Sequence, residues 1–526
     1  MKIKIFDSTL RDGAQAKGIS FSVEDKIKIL KALDELGIDY VEAGNPGSNV
    51  KDMEFFDKVK SEELRHTRLT AFGSTRRKNL SVEEDVYVKN MLLANTDAIS
   101  LFGKTWDFHV TNVINTTLEE NLNMIRETIE FFKKNEKEVI FDAEHFFDGY
   151  KSNPDYAIQS LRAAAVGGAD CLVLCDTNGG AFPDEVFDIT KKIVDQFDIE
   201  IGIHCHNDGG MAVANSIMAV YAGATHVQGT FLGFGERCGN ANLTSIIPSL
   251  QLKKAMDCIP EDKLKLLVEK AYYISEIANI KIDHGMPYIG RNAFAHKGGM
   301  HIDGVTKTQA SFEHIKPEMV GNSREFLMSE ISGKNTLIKK IQMIDPSKTK
   351  DSLETQELVN KLKEMEHDGY QFEAAESSFE LLIRKHLNKY KPFFELKYYR
   401  VIEEEPAINE EASSTAIIKI CVDGQNEMRA TEGNGPVNAL DKAIRKALEV
   451  FYPSLKNMYL TDYKVRVLGA SSATASRVRV LIESSDGKES WTTVGVSSNI
   501  IEASKIALVD SIEYKLIKDI EERIGR

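Results

Sequence analysis

From residue 1 to about 235, short apolar runs alternate with amphipathic stretches. The strand-like runs are 3–6, 40–43, 69–72, 98–102, 138–143, 171–175, 200–203 and 227–231. They recur at roughly 25–40 residues, the length of a strand plus a returning helix. Between the first two, residues 23–36 place Ile27, Leu30 and Leu33 on one face and stop at Gly37, as an amphipathic helix does. Residues 121–134 and 155–166 repeat that pattern, the latter ending at Gly167 and Gly168. Eight such units in a row predict an α/β fold, a (β/α)8 TIM barrel. An open doubly wound sheet is the alternative, but it carries a glycine-rich turn after its first strand. Here the first strand runs into DSTLRDGAQ, whose single glycine is Gly13.

The period changes beyond the barrel. Residues 255–395 read as mostly helical, interrupted by the polar loop AHKGGMHIDG. Residues 403–414 (EEEPAINEEASS) are acidic and contain proline and serine, the composition of a linker. After them, strand-like runs at 416–422, 463–468 and 476–482 combine with helical runs at 436–451 and 499–517. The expected organisation is a catalytic barrel over 1–255, helical linker subdomains over 256–402, and an α+β domain over 403–526. This last domain reads as strands then a helix, twice over.

Length and composition narrow the class. A chain of 526 residues exceeds one ordinary core. The formal net charge of −14 argues against nucleic acid or an anionic membrane as a general partner. No apolar run approaches a bilayer span, and residues 1–10 lack a secretory pattern. A cytoplasmic location is expected. Cys171, Cys175, Cys205, Cys238, Cys258 and Cys421 are scattered and form no CxxC pair; buried, reduced thiols are expected.

In a TIM barrel, chemistry gathers at the C-terminal ends of the strands. Arg11 and Asp12 follow strand one, Glu42 ends strand two, and Glu144 and His145 end strand five. Asp176 and Thr177 end strand six, and strand seven ends in HCHND. Strand eight runs into GFGERCGNAN, with Glu236, Arg237, Asn240 and Asn242. His204 and His206 are i and i+2 of a strand, so both imidazoles project to one face, where they suit a divalent ion. Two histidines satisfied by hydrogen bonds at a strand end are the plain alternative. An aspartate and an asparagine reaching the same mouth favour the ion. Such an ion would polarise a chelating 2-oxo acid, and Arg11 would meet developing alkoxide charge. Arg11 and Asp12 could otherwise be a surface pair or a helix cap. Glu144 ends an apolar strand, where a buried carboxylate acts as acid or base or supports the rim. Glu42 is as readily a structural partner of Arg11. Thr177 offers a hydroxyl to a substrate carboxylate, although threonine is common at strand ends. His301 lies outside the barrel strands, and from spacing alone it reads as a surface residue.

FDSTLRDGAQ, HCHND, GFGERCGNANL and HKGGMHIDG, in this order, resemble the metallolyase-type barrels of the 2-isopropylmalate, homocitrate and citramalate synthase family. EGNGPVNALDKAIRKAL, residues 432–448, resembles that family's C-terminal allosteric and dimerisation domain. Residues 17–56 are most similar to the branch that uses pyruvate. The resemblance implies an acyltransferase that condenses acetyl-CoA with pyruvate and releases CoA, the first step of a pyruvate route to isoleucine. It implies a homodimer, a divalent metal (Mn2+, Mg2+ or Zn2+) and isoleucine as an effector at the last domain. A plain dimerisation module is the alternative for that domain. The net charge leaves room for one local basic patch for the CoA phosphates. Asp12, His204, His206 and Asn240 are implied as metal ligands. Arg11, Glu144 and His301 are implied as catalytic groups, His301 reaching the site from the partner subunit. Arg11, Gln15, Glu42 and Thr177 are implied to bind substrate. One departure stands out: a tyrosine is usual shortly after the histidine, and this chain has Phe312. A phenyl ring keeps the packing and loses the phenol hydrogen bond.

Three other readings remain at this level. A longer 2-oxo acid would make the chain an isopropylmalate or homocitrate synthase. A lyase or aldolase would run bond cleavage on the same barrel. A non-catalytic amino-acid sensor would leave the barrel idle.

Overall fold

Strands buried on both faces read as nearly unbroken apolar runs, and eight of them pair in parallel to close one barrel in chain order. They are β1 (Lys4–Asp7), β2 (Tyr40–Glu42), β3 (Arg68–Ser74), β4 (Ala98–Lys104), β5 (Glu138–Glu144), β6 (Cys171–Asp176), β7 (Glu200–Cys205) and β8 (His226–Gly229). Closure is made where β1 meets β8, with Ile5 opposite Val227 and Asp7 opposite Gly229. The structure is a computed structural model and describes residues 1–296, 299–326, 334–349, 352–372, 375–404, 413–468 and 476–524.

The first βα unit shows how local sequence sets the frame. Ser22 caps the helix Val23–Leu36 by accepting from the Asp25 amide, while the Asp25 side chain accepts from the Ser22 amide. This reciprocal cap satisfies two donors that a helix start otherwise leaves open. The helix ends at Gly37, whose φ of 88° is left-handed, a conformation that costs glycine little. Ile29, Leu30, Leu33 and Leu36 are buried between helix and barrel. Inside the barrel, Phe6, Tyr40, Ala98, Ile140, Cys171 and Val173 fill the axis, so its lower part is a packed core.

Two compact units divide the chain: Met1–Ala295 with Glu313–Glu325, and His296–Phe312 with Phe326–Arg526. The first holds the barrel. The second holds two three-stranded antiparallel sheets. Glu395–Glu404, Ser413–Val422 and Gln425–Gly433 precede the helix Pro436–Leu448, and Tyr459–Leu468, Arg477–Ser485 and Ser490–Ser497 precede the helix Ile500–Ile524. The strands-then-helix unit is therefore used twice. Ile418, Ile420, Leu440, Ile444, Ile482, Leu508 and Ile512 share one core. A second core joins Ile341, Leu358 and Phe379 to Val494 and Val496.

Three local expectations are corrected. The two ends of the stretch 403–414 are strand: Glu403 pairs with Ser414 and Glu404 with Ser413. Residues 405–412 lie outside the described residues. The polar loop around His301 is in part a helix, Gly299–Lys307, because Ile302 and Val305, three apart, are both buried. Lys297 and Gly298 lie outside the described residues. Cys238 is exposed, whereas Cys171, Cys175, Cys205 and Cys258 are buried; all six thiols are free. No helix among the described residues is long and apolar enough to cross a membrane.

Candidate active site at the barrel mouth

β7 delivers His204 and then His206, which bridges to Asn240 of the segment after β8. The two imidazole rings lie 5.1 Å apart. From the turn after β1, Asp12 Oδ2 reaches 3.6 Å from His204 Nε2 and 3.8 Å from His206 Nε2. Asn240 lies within hydrogen-bonding reach of Asp12, and its Nδ2 donates to the Phe234 carbonyl at 3.1 Å. That bond turns Oδ1 away from Phe234, and Asn240 Oδ1 is buried without a partner. Asp12 Oδ1 and His206 Nδ1 are also buried and unpartnered. Among the described residues Asp12, His204 and His206 form a cluster whose ligand atoms lie within 4.8 Å of one another. Orphaned buried acceptors are costly in a protein interior, and a cation held by Asp12 and Asn240 would remove the cost for their oxygens.

The tautomer of His204 follows from the groups behind it. Ser100 Oγ donates to Asp142 Oδ2 at 2.6 Å, and Gln228 Nε2 donates to Asp142 Oδ1 at 2.8 Å. Gln228 therefore presents its oxygen to His204 Nδ1 at 3.0 Å. Nδ1 carries the proton, and Nε2 faces Asp12 with a lone pair. Charge states agree with ligation. Burial, then the neighbouring His206, holds His204 down to about 3, and burial also lowers His206. Burial alone would raise Asp12, but Arg11, His204 and His206 outweigh it and hold the carboxylate below its ordinary range. Near neutral pH the site offers two neutral imidazoles and one carboxylate. Borderline nitrogen donors with oxygen donors suit a divalent first-row ion or Mg2+.

Arg11 is held on three sides. Its Nε donates to Glu42 Oε2 at 2.5 Å, Nη1 lies 3.3 Å from Asp12 Oδ2, and the guanidinium stacks 3.7 Å over the Phe72 ring. Glu42 is fully buried behind it, and burial pushes that carboxyl up to about 7 against the pull of Arg11. A cavity of about 240 Å3 opens here, lined by Arg11, Asp12, Gln15, Phe72, Phe102, Asp142, Glu144, Cys175, Thr177, His204, His206, Glu236 and Arg237. Glu144 is ion-paired with Lys104. Thr177 Oγ1 accepts from the His145 amide at 2.8 Å, which leaves its hydroxyl proton free to donate. His145 reaches this position in a left-handed conformation, φ 58°.

One mouth thus gathers Arg11, Asp12, Gln15, Glu144, Thr177, His204 and His206, with Asn240 beside Asp12 and Glu42 behind Arg11. Of the remaining strand-end residues, Asp176 is tied to the Gly180 and Ala181 amides, each at 3.2 Å. Asn242 caps the following helix by accepting from Thr244. His301 belongs to the second unit, where it is exposed and stacks on Phe312 with centroids 4.2 Å apart. Phe312 supplies that stack with a phenyl ring, which has no phenol hydroxyl to donate. Sequence reading missed Lys104, Asp142 and Gln228, which orient the groups it found. Asp142 was detectable, since it sits two residues before Glu144 and shares its face of β5.

The sequence has close parallels. The HMGL-like family model matches residues 2–280, the Homocitrate synthase post-HMGL domain-like model 288–369, and the LeuA allosteric (dimerisation) domain model 373–516. The (R)-citramalate synthase of Aquifex aeolicus is 54% identical over 524 residues, 99% of each chain. The chain belongs to the (R)-citramalate synthase family. Its counterpart from Geobacter sulfurreducens is 50% identical, over 99% of this chain and 98% of its own. The 2-isopropylmalate synthase of Methanocaldococcus jannaschii is 30% identical, over 98% and 95%. Members of the (R)-citramalate synthase family are enzymes, and the closed barrel with an added allosteric domain is the architecture those models describe.

Proposed function

We propose that this chain condenses acetyl-CoA with pyruvate, and that water then cleaves the thioester to give (R)-citramalate and free CoA. The observation that carries the reading is the mouth cavity. It is about 240 Å3, room for a small 2-oxo acid, with a divalent-ion donor set on one side and Phe72 and Phe102 on the other. The two phenylalanine rings stack 5.2 Å apart and present no charge to a second carboxylate, which disfavours 2-oxoglutarate.

Asp12, His204, His206 and Asn240 would hold the ion, which supplies Lewis-acid polarisation of the ketone. Arg11, immobilised by Glu42 and Phe72, directs its free N–H groups toward the oxygen that gains charge on carbon–carbon bond formation. The Thr177 hydroxyl donates to the substrate carboxylate. Glu144, paired with Lys104, relays the proton taken from the acetyl methyl group. His301 is the group that takes it, supplied by the partner subunit of a homodimer. Isoleucine acts as effector through residues 373–516. The small residues of EGNGPVNA permit close backbone approach to a ligand, and the serine- and alanine-rich run GASSATAS falls mostly outside the described residues.

CoA release measured with pyruvate, 2-oxoisovalerate and 2-oxoglutarate tests the substrate. kcat/KM is expected to be at least tenfold higher with pyruvate, since each methylene is worth roughly 1–3 kcal/mol of discrimination. A preference for 2-oxoisovalerate would move the chain to the isopropylmalate branch. Acetoacetate formed by thioester cleavage would favour the lyase reading. Saturating isoleucine is expected to inhibit CoA release by the full chain, and unchanged turnover would remove that effector role.

A further inference from the structure

Cys171 opens β6, Glu200 opens β7 and His226 opens β8, so the three lie at the end of the barrel opposite the mouth. In the parallel pairing Cys171 stands opposite Glu200, and Gly202 opposite His226. Glu200 and Gly202 are two apart on one strand, so both pairs share a face of the sheet. Gly202 keeps that face open: a Cβ there would lie 2.9 Å from Val173 Cγ2 and 3.2 Å from His226 Cδ2. Among the described residues, the Cys171 thiol, a ring nitrogen of His226 and a carboxylate oxygen of Glu200 come within 4.8 Å of one another.

His226 brings an unmet polar atom to this floor. It is 1% exposed, its ring centroid lies 5.4 Å from that of Phe6 and 5.5 Å from that of Tyr40, and its Nε2 is buried with no hydrogen-bond partner. Such a nitrogen carries a desolvation cost that apolar neighbours do not return. Burial keeps the ring neutral near pH 7, the form that ligates a metal. Cys171 is a free, buried thiol. Glu200 accepts from Lys4 Nζ at 2.7 Å and from Thr225 Oγ1 at 3.0 Å. Lys4 is drawn by the Glu138 carboxylate as well, so it keeps an anion when Glu200 takes another cation.

We propose that the floor of the barrel is a second metal site, in which Cys171, His226 and Glu200 take a zinc-class ion. One thiolate, one imidazole and one carboxylate suit Zn2+ or Co2+, with a further position left to water. Mn2+ binds most weakly of the first-row divalent ions and is poorly matched to a thiolate, so it goes to the mouth and not to the floor. On binding, the Cys171 S–H bond breaks, the sulfur keeps the electron pair and bonds the metal, and the proton leaves to solvent. The ion ties β6, β7 and β8 together beside the seam where β8 meets β1.

Co2+ reads this site in the full chain, because a thiolate ligand gives Co2+ an intense near-ultraviolet charge-transfer band that nitrogen and oxygen ligands do not. His204→Ala, which lacks the mouth ion, is expected to develop that band with one Co2+ per chain. The parent is expected to develop the same band, and Zn2+ to abolish it. Cys171→Ser is expected to lose the band, and His226→Gln to need at least tenfold more Co2+ for it. Mn2+ affinity at the mouth stays within twofold in both, which reports an intact barrel. His226→Gln carries the test where Cys171→Ser does not fold. No band in the parent, or a band in His226→Gln at the parent's Co2+ concentration, would overturn the floor site. A band of parent strength in a folded Cys171→Ser would place the ion on another thiol and overturn it equally.

Discussion

At the scale of single residues, Arg11 is positioned by what lies behind it. Glu42 proves to be a support: its carboxylate is fully buried and holds Arg11 Nε at 2.5 Å. Glu42→Gln keeps the volume and removes the charge, so Arg11 loses its orientation. kcat is expected to fall at least tenfold, with little change in the KM for acetyl-CoA. A variant with unchanged kcat would show that Arg11 needs no anchor. The spacing of His204 and His206 and the strand-end positions of Asp12 and Asn240 were legible, whereas Asp142 and Gln228 were hidden because their hold on His204 exists in space and not in the sequence. His226 at the opposite end of the barrel makes a different prediction. Burial holds it down to about 3, against about 6.5 for an unfolded histidine. Below pH ~6.5 the unfolded chain binds a proton that the fold refuses, so stability present above that pH is lost as pH falls toward 3. His226→Gln should flatten the dependence of the urea midpoint between pH 7 and 5. An identical slope would show that another group sets it.

At the scale of elements, period and punctuation sufficed wherever an element is long and one face is buried. All eight barrel strands lie where the alternation placed them, with ends shifted by at most two residues because the last turn or pairing depends on tertiary contacts. The acidic composition of 403–414 gave no sign that its ends are strand, which the pairing of Glu403 with Ser414 reveals. The helix Gly299–Lys307 was missed because two glycines in the motif read as a loop. The segment after β8 shows what glycine does at a metal rim. Gly235 has φ 155°, and a Cβ there would collide with Asn240 Nδ2. Gly235→Ala is therefore expected to displace Asn240 and weaken metal binding at least tenfold while lowering Tm only modestly. Unchanged metal affinity would remove Asn240 from the ligand set.

At the scale of the molecule, the fold class and the α+β character of the last stretch were readable, and the division of the later chain was not. The boundary expected after residue 402 falls inside the strand Glu395–Glu404. The core that joins Ile341 and Leu358 to Val494 and Val496 brings distant stretches together, and no local composition shift records that. This core predicts the outcome of truncation. Deleting residues 373–526 strips Ile341, Leu358 and Leu362 of Phe379, Val494 and Val496, and about 25 cal/mol per Å2 of apolar burial goes with them. The shortened chain is expected to aggregate on size-exclusion chromatography where the full chain elutes cleanly. A soluble, monodisperse truncation would show that the helical stretch is stable without the sheets.

The proposed condensation depends on one cation held by Asp12, His204, His206 and Asn240. The most direct test strips the protein of metal, titrates Mn2+ back and counts bound ions by electron paramagnetic resonance while CoA release with pyruvate is followed. The parent is expected to bind one ion per chain and to recover turnover in step with it, and His204→Ala to do neither. Turnover by the stripped parent, or full Mn2+ binding by His204→Ala, would contradict the account.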